Sequence, residues 1–457
     1  MPITDPDLHR RLHRRLVFAD LLLLTLAAAA VVRLVGFAFF PGFTAFATLP
    51  VSEDHTRHAC FSAYYLAVDR AARGEPVYPP EAYTQAEGAI GGIPVESVNV
   101  DAFVYPPLFL PTMEPFAGLD FGLARGLWML ANLLVLGACL WSVVRWVGGT
   151  PGASLLRWIP ALLLTMSVQS QLQFGNAHLL VVAAALWGME RIERGRVVSG
   201  GALLAWSIGA KLFPGVLVVY LLARRRWAAI GWTAAWGAAL VGATVVMYGM
   251  APIGEFVTYH VPRLSSGEAF GWMFEKAEAA AINVSPYGIP VKLAALGVID
   301  DPRPAARVIN GIWLGGVLVV SWVAGKRAQD DDSPLSRLGA MQLAALLLVL
   351  GSLQTPFYDA FRANAVLFVG VWLVAPALPR KWTFVLLFGE LLFLPLMAAL
   401  GPLWARAAMG VAGQALVVVV GVLLWRRGSR ARGEGAPPPR SPWPGLARWG
   451  DQRAGMS

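Results

Sequence analysis

The sequence predicts an all-α polytopic integral membrane protein. Its 457 residues are 57% hydrophobic and only 14% charged, and the mean hydropathy is +0.58. Apolar runs close to the roughly 20 residues that cross a bilayer recur from Leu16 to Trp425. These runs are continuous and lack the alternation of a transmembrane β-barrel. A bundle of transmembrane helices is therefore expected.

Basic residues beside the apolar runs predict the topology. Most of the net charge of +9 lies in short arginine clusters, which favour the cytoplasmic side and anionic lipid. This charge is weak evidence for nucleic-acid binding, and we expect no nucleic-acid partner. The N-terminal segment, residues 1–15, is expected in the cytoplasm, and the first run lacks a clear signal-peptide cleavage site. The tail, residues 426–457, is rich in Arg, Pro and Gly and is predicted to be a disordered cytoplasmic extension.

The predicted transmembrane domain, residues 16–425, contains about ten crossings. They are expected at residues 16–37, 123–146, 156–172, 176–192, 227–249, 308–326, 336–353, 364–379, 382–399 and 404–425. Two large external loops, residues 38–122 and 250–307, follow the first and the fifth crossing.

The segment between Gly195 and Trp227 is basic at both ends and carries one lysine near its middle. A single spanning helix should carry its Lys/Arg excess on one side only, and a lysine in hydrocarbon indicates a functional site by default. If residues 197–222 crossed once, every later basic cluster would lie outside. We therefore predict a re-entrant pair with Lys211 at its turn. Lys211 then needs an anionic partner, either a phosphate or a carboxylate such as Glu390.

Candidate acid–base residues lie in the first external loop. They are Glu53, Asp54, His55, His58, Asp69, Asp101 and Tyr105. On a helix, Asp54 and His58 would share one face, and a carboxylate beside a histidine can act as a general base. Alternatively, Asp54 caps a helix that begins near Thr56. Asp69 is expected to form a surface ion pair with a neighbouring arginine.

A second polar group lies between the third and fourth crossings. It consists of Gln169, Gln171, Gln173, Asn176 and His178. Side-chain amides here can bind sugar hydroxyls, although turns at a membrane surface are polar in any case. The acidic and histidine residues of the first loop are spaced too loosely to predict a metal site. The two cysteines, Cys60 and Cys139, imply no disulfide or metal framework, and no cofactor is expected.

Four groups of short motifs follow one another along the chain. They are Tyr64-Tyr65-Leu66-Ala67 with Gly74-Glu75-Pro76-Val77-Tyr78 and Phe103-Val104-Tyr105-Pro106-Pro107-Leu108; Gln173-Phe174-Gly175-Asn176-Ala177-His178-Leu179-Leu180; Gly200-Gly201 with Lys211-Leu212-Phe213-Pro214 and Arg224-Arg225-Arg226-Trp227; and Asn283-Val284-Ser285-Pro286-Tyr287-Gly288. In this order they resemble family 87 glycosyltransferases of the C-type superfamily, and the likeness covers roughly residues 15–425.

The resemblance implies the fold and the reaction. The fold would be a C-type glycosyltransferase-like helical bundle in the plasma (inner) membrane. The enzyme would move a sugar, typically mannose, from a polyprenyl-phosphate donor to a lipid or glycan acceptor on the external side. The reaction would be a single inverting displacement, in which a carboxylate deprotonates the acceptor hydroxyl while phosphate leaves.

The resemblance also indicates site residues, with one departure. The family usually has its catalytic aspartate a few residues before the Tyr64-Tyr65 pair, where this chain has Cys60. The nearest upstream carboxylates are Glu53 and Asp54, so Asp54 is our candidate base. The candidate substrate-binding residues are Glu53, His55, His58, Tyr64, Asp101, Tyr105, Gln173, Asn176, Lys211, Asn283 and Asp359. Asp359 is alternatively a partner of Arg362.

Two other protein classes share some of these features. A transporter or flippase of lipid-linked sugars or other anionic lipids would also have broken helices and a membrane lysine. However, the two halves of the chain show no internal repeat, and the two external loops are long. A membrane scaffold would leave Lys211 and the re-entrant segment unexplained. The sequence therefore favours the enzyme, without indicating which sugar, acceptor or linkage it uses.

Overall fold

The computed structural model describes residues 6–40, 44–47, 58–79, 99–328, 332–378 and 403–430. The only strands in these ranges are β1 (His58–Ala59) and β2 (Asn99–Val100), which pair in parallel. The helices are α1 (Pro6–Phe39), α2 (Phe61–Ala72), α3 (Leu110–Met113), α4 (Phe121–Val147), α5 (Gly149–Leu164), α6 (Met166–Phe174), α7 (Ala177–Glu193), α8 (Val197–Ala210), α9 (Val216–Ala223), α10 (Trp227–Tyr248), α11 (Ala251–Glu255), α12 (Val261–Ser266), α13 (Trp272–Glu275), α14 (Ala277–Ile282), α15 (Gly288–Ala295), α16 (Arg303–Arg327), α17 (Pro334–Ser352), α18 (Ala360–Val374) and α19 (Leu403–Arg430). The prediction of an all-α fold is confirmed.

Six of the described helices are long and apolar enough to cross a membrane, or seven if one bent pair counts as a single span. The six lie in α1, α4, α10, α16, α17 and α19. Large apolar side chains on α1, α10, α16 and α19 are exposed, as expected for helices that face lipid, and α7 and α17 are largely buried. The prediction of a multi-pass membrane protein is confirmed. The predicted crossing at 382–399 and most of the tail lie outside the described residues, so the count of about ten stays a prediction.

The predicted crossing at 156–172 is not one continuous helix. Helices α5 and α6 are bent by 63° relative to each other. The bend lies at Thr165, which has an extended backbone with φ −62° and ψ 136°. All nine residues of α6 are buried, although several of them are polar. Because the polar side chains of such a helix would lack hydrogen-bond partners in hydrocarbon, the helix turns into the protein interior.

The geometry agrees with the predicted re-entrant pair, with α7 serving as the reference. Lys211, between α8 and α9, lies with its Nζ 3.1 Å from Nδ1 of His178 in the first turn of α7. Arg224, directly after α9, forms an ion pair with Glu193, the last residue of α7. The segment therefore reaches one end of α7 and returns to the other. We call the end marked by His178 and Lys211 the outer end, and the end marked by Glu193 and Arg224 the inner end.

Two adjacent glycines of α8 allow close packing on both sides. A Cβ on Gly200 would lie 2.8 Å from the backbone oxygen of Gly188 in α7. A Cβ on Gly201 would lie 2.8 Å from Cβ of Trp232 and 2.9 Å from the backbone nitrogen of Thr233 in α10. Small residues at such positions let membrane helices approach backbone to backbone. The pair therefore lets α8 pack closely between α7 and α10.

We expect Gly201→Ala to destabilise the protein, because the new methyl group meets backbone atoms that cannot move aside. Overpacking of this kind costs about 1–3 kcal/mol, against a gain of about 1 kcal/mol in helix propensity. Gly231→Ala in α10 is the matched control, since nothing lies within 4 Å of the position that its Cβ would occupy. The check is the thermal unfolding temperature in detergent. Equal or higher stability of Gly201→Ala than of Gly231→Ala would contradict this packing.

Candidate functional site

Two tyrosines form the centre of a buried polar group at the outer end. Tyr64 of α2 donates to the hydroxyl of Tyr105 at 2.7 Å, and its oxygen accepts from the backbone N–H of Ala177 at 2.9 Å. The two rings meet edge to face, 4.8 Å apart. Burial, reinforced by Tyr105 and Cys60, raises the pKa of Tyr64 well above its usual value. Tyr64 therefore stays protonated and joins the first external loop to the start of α7.

Asn176 is the N-cap of α7, and the protein already uses both of its side-chain polar atoms. Its Oδ1 accepts from the backbone N–H of His178 at 2.8 Å. Its Nδ2 donates to Sγ of Cys60 at 3.2 Å. Cys60, the residue at the usual place of the family's aspartate, therefore lies in this group. The predicted binding of sugar by Asn176 stays a prediction.

Lys211 reaches the same group from the turn of the re-entrant pair. Its Nζ lies 4.6 Å from the ring centroid of Tyr105 and 3.1 Å from Nδ1 of His178. On the other side of the imidazole, Nε2 of His178 lies 2.6 Å from the hydroxyl of Tyr358. Phe213 stacks on the imidazole with ring centroids 4.9 Å apart and an interplanar angle of 15°. The site thus holds a cation between an aromatic face and a fixed histidine.

Asn283 and Asp359 come from two distant segments that pair at the site. They form an isolated antiparallel bridge. Oδ1 of Asn283 accepts from the backbone N–H of Tyr358 at 3.1 Å, and its Nδ2 donates to the carbonyl of Pro356 at 2.8 Å. Asn283 is fully buried, so the geometry supports a role in holding Tyr358. The side chain of Arg362, the alternative partner of Asp359, lies outside the described part.

Other predicted site residues lie at the edge of the site. Asp101 borders a cleft beside Arg70, and its backbone N–H donates to Oγ of Ser62 at 3.0 Å. The buried Gln173 accepts a hydrogen bond from Arg125 at 3.2 Å through its backbone carbonyl. Among the described residues, no three His, Cys, Asp or Glu side chains are grouped as metal ligands would be.

Two predictions about the first loop have clear outcomes. Asp69 pairs with Arg73 at 2.9 Å, which confirms the surface ion pair. The shared helical face of Asp54 and His58 is wrong, because His58 lies in the extended strand β1. The helical spacing argument therefore does not apply to His58, and Asp54 lies outside the described residues. The remaining candidates, Glu53, Asp54, His55 and Glu390, lie outside the described residues.

Sequence reasoning missed the roles of His178 and Tyr358. From the sequence, His178 is one member of a polar turn, and nothing distinguishes Tyr358 from its neighbours. The contact between them joins residues 180 positions apart. The available signal was the polar motif Gln354-Thr355-Pro356-Phe357-Tyr358-Asp359 at the end of an apolar run.

The second external loop packs on the first beside the site. Oε2 of Glu255 accepts from the backbone N–H of Val77 at 2.9 Å, and Tyr78 donates to the carbonyl of Tyr105 at 2.7 Å. His260, in the π-helical turn Phe256–His260, stacks on Tyr78 with ring centroids 4.5 Å apart. Burial, with a smaller effect of Arg263, lowers the pKa of His260 to about 4.

We expect this loop contact to become less stable as the pH falls. A histidine with an unfolded pKa of about 6.5 binds its proton in the unfolded state before it does so in the folded state. Stability is therefore full above about pH 6.5 and decreases as the pH falls towards 4. The measurement is the unfolding temperature across this range for wild type and His260→Phe, which keeps the stacking ring. Parallel pH profiles of the two proteins would show that His260 is not responsible.

Comparisons with known proteins identify relatives of the chain. The model of glycosyltransferase family 87 matches residues 103–356, which is more than half of the chain and includes Tyr105, Asn176, Lys211 and Asn283. A polyprenol-phosphate-mannose-dependent alpha-(1-2)-phosphatidylinositol pentamannoside mannosyltransferase from Mycolicibacterium smegmatis (strain ATCC 700084 / mc(2)155) is 29% identical over 232 residues. This match covers 48% of the chain and 54% of the relative, so the chain spans about half the length of the curated relative. No solved structure matches the chain significantly.

Proposed function

Since the chain belongs to glycosyltransferase family 87, we propose that it is a membrane glycosyltransferase that takes a sugar from a polyprenyl-phosphate donor. The observation that carries the proposal is the position of Lys211 at the outer end. The re-entrant pair brings this cation to Tyr105 and His178, inside the range that the family model matches. A cation within an apolar membrane segment is a functional site by default, and lysine is a common phosphate-binding charge.

The proposed role of Lys211 is to bind the donor phosphate. In the reaction, the bond between the anomeric carbon and the phosphate oxygen breaks, and the polyprenyl phosphate gains negative charge. A fixed cation beside that oxygen stabilises the charge in a site of low dielectric constant. The apolar helices around the site suit a donor whose polyprenyl tail stays in the bilayer.

We propose that Asp54 is the base. It would accept the proton of the acceptor hydroxyl while that oxygen bonds to the anomeric carbon with inversion. Asp54 precedes Cys60 by six residues, a stretch that spans about 20 Å at most, and Sγ of Cys60 contacts Asn176 in the site. This chain length would allow Asp54 to reach the site. Cys60 itself is a buried thiol rather than the carboxylate usual in the family.

The name of the relative supports the choice of substrates. It specifies a polyprenol-phosphate-mannose donor and a mannosylated phosphatidylinositol acceptor. For this chain we propose mannose as the sugar and a glycolipid as the acceptor, transferred on the external side. We place the site at the outside of the plasma membrane and both termini in the cytoplasm. The arginines and lysines at the inner end, such as Arg224, Lys326 and Arg327, support this orientation.

An in vitro transfer assay tests the proposal. Purified protein in nanodiscs is given a panel of polyprenyl-phosphate sugars together with glycolipid acceptors. We expect a new glycoside and release of polyprenyl phosphate. Movement of lipid-linked sugar across vesicles without glycoside formation would instead identify a transporter.

A further inference from the structure

His178 is held in one orientation by contacts at one face of its ring and at both ring nitrogens. Phe213 stacks on one face of the imidazole, and Tyr358 lies beside it with ring centroids 5.1 Å apart. The residue is only 3% exposed. Its backbone N–H donates to the N-cap Asn176, which fixes the start of α7 beneath it. Both ring nitrogens point at hydrogen-bonding partners, Lys211 and Tyr358.

The chemistry of these partners determines which nitrogen carries the proton. A lysine ammonium has donors and no acceptor. Nδ1 of His178, 3.1 Å from Nζ of Lys211, must therefore present its lone pair. The imidazole is then neutral with its proton on Nε2, and it donates to the hydroxyl oxygen of Tyr358 at 2.6 Å. Lys211 thus selects this tautomer, and Tyr358 accepts its Nε2 proton.

The second external loop supports this arrangement. Asn283 accepts from the backbone N–H of Tyr358 at 3.1 Å, and the carbonyl of Tyr358 accepts from the backbone N–H of Val284 at 2.8 Å. A continuous series of contacts therefore runs from Asn283 through Tyr358 and His178 to Lys211. Buried ligands of this kind orient a functional group by fixing the rotamer and the tautomer of its neighbour.

We propose that His178 is the positioning residue for Lys211: its Nδ1 directs the ammonium over Tyr105 towards the donor phosphate, and Tyr358 holds the imidazole by accepting from Nε2. This inference rests on the proposed function, in which Lys211 binds that phosphate. His178 acts through Lys211 and takes no proton from the acceptor.

Two substitutions separate positioning from packing. In His178→Asn, the side-chain oxygen can occupy the place of Nδ1 and accept from Lys211. In His178→Gln, the amide reaches the place of Nε2 and meets Tyr358, so the acceptor for Lys211 is lost. If His178 only fills space, the smaller asparagine should be the worse replacement. If it positions Lys211, the glutamine should be worse.

The experiment measures kcat and KM for the donor, together with the rise in unfolding temperature that polyprenyl phosphate causes. We expect His178→Gln to lower kcat/KM about 10- to 100-fold and to reduce the thermal shift, as for loss of a charged hydrogen bond. His178→Asn should stay within about fivefold of wild type, well inside that loss. Tyr358→Phe should fall between them, because the ring remains but Nε2 of His178 loses its hydrogen-bond acceptor.

The outcomes separate this inference from the proposed function. Active wild type with equal losses in both His178 variants, or a larger loss in His178→Asn, overturns the positioning role alone. Wild type without transfer and without a thermal shift overturns the proposed function and the inference with it. If both His178 variants fail to fold, the Nδ1 resonance in ¹⁵N-histidine-labelled protein decides. Lys211→Met must shift that resonance, and an unchanged resonance overturns the Lys211–His178 contact.

Discussion

Replacing Lys211 with methionine is expected to lower kcat/KM for the polyprenyl-phosphate sugar by about 100- to 1,000-fold. Methionine keeps the length and apolar volume of the side chain, so the packing on Tyr105 changes little. The charge beside the departing phosphate is lost, and with it the stabilisation that grows as the bond to the anomeric carbon breaks. The measurement is initial transfer rate against donor concentration for purified wild type and variant.

Lys326→Met is the matched control for this substitution. Lys326 also lies over an aromatic ring, 5.2 Å from the centroid of Trp322, but it belongs to the inner end of α16. We expect its activity to match wild type. A Lys211→Met protein that unfolds at the wild-type temperature and transfers sugar at the wild-type rate would remove Lys211 from the mechanism.

Replacing Asp54 with asparagine is expected to reduce kcat by about 100- to 10,000-fold. The amide is similar in size to the carboxylate but cannot take the proton of the attacking hydroxyl. Donor binding should persist, because Lys211 remains in place. The check is a pair of measurements on the same protein, the transfer rate and the thermal shift caused by polyprenyl phosphate.

Asp69→Asn tests whether the loss of any loop carboxylate has this effect. Asp69 is in the same external loop and forms a partly exposed ion pair with Arg73, and such pairs contribute little. Its activity should stay close to wild type. Full activity of Asp54→Asn would reject Asp54 as the base, and Glu53, Asp101 and Asp359 would be tested next in the same way.

The re-entrant segment shows which features a local sequence pattern can predict. Basic residues at both ends and Lys211 between them predict a turn inside the membrane, and the ion pair of Arg224 with Glu193 agrees with it. The positions of the charges predict this turn because membrane orientation depends on the arginines and lysines beside each apolar run. The sequence does not predict where the turn ends relative to α7, since that position depends on tertiary packing such as that of α8 at Gly200 and Gly201.

The bend at Thr165 and the strand at His58 show the opposite case. The mean apolar character of residues 156–172 suits a span and predicts one continuous helix. The polar residues of α6 instead lie inside the bundle, where Gln169 accepts from Arg33 at 2.5 Å. His58 pairs with Asn99, a residue that a helical spacing argument cannot include. Both predictions differ from the structure because they considered only residues near one another in the sequence and left out contacts with distant segments.

The order of residues along the chain is enough to specify the membrane class, the family resemblance, the broken segment and the single lysine within it. These properties depend on composition and on spacing within one helix, which are local. The meeting of Tyr64, Tyr105, His178, Lys211 and Tyr358 at one end of the bundle emerges only in the folded protein. These side chains belong to five separate segments, and His178 and Tyr358 are 180 positions apart. Such contacts follow from how buried helices pack against one another, and no local pattern encodes that packing.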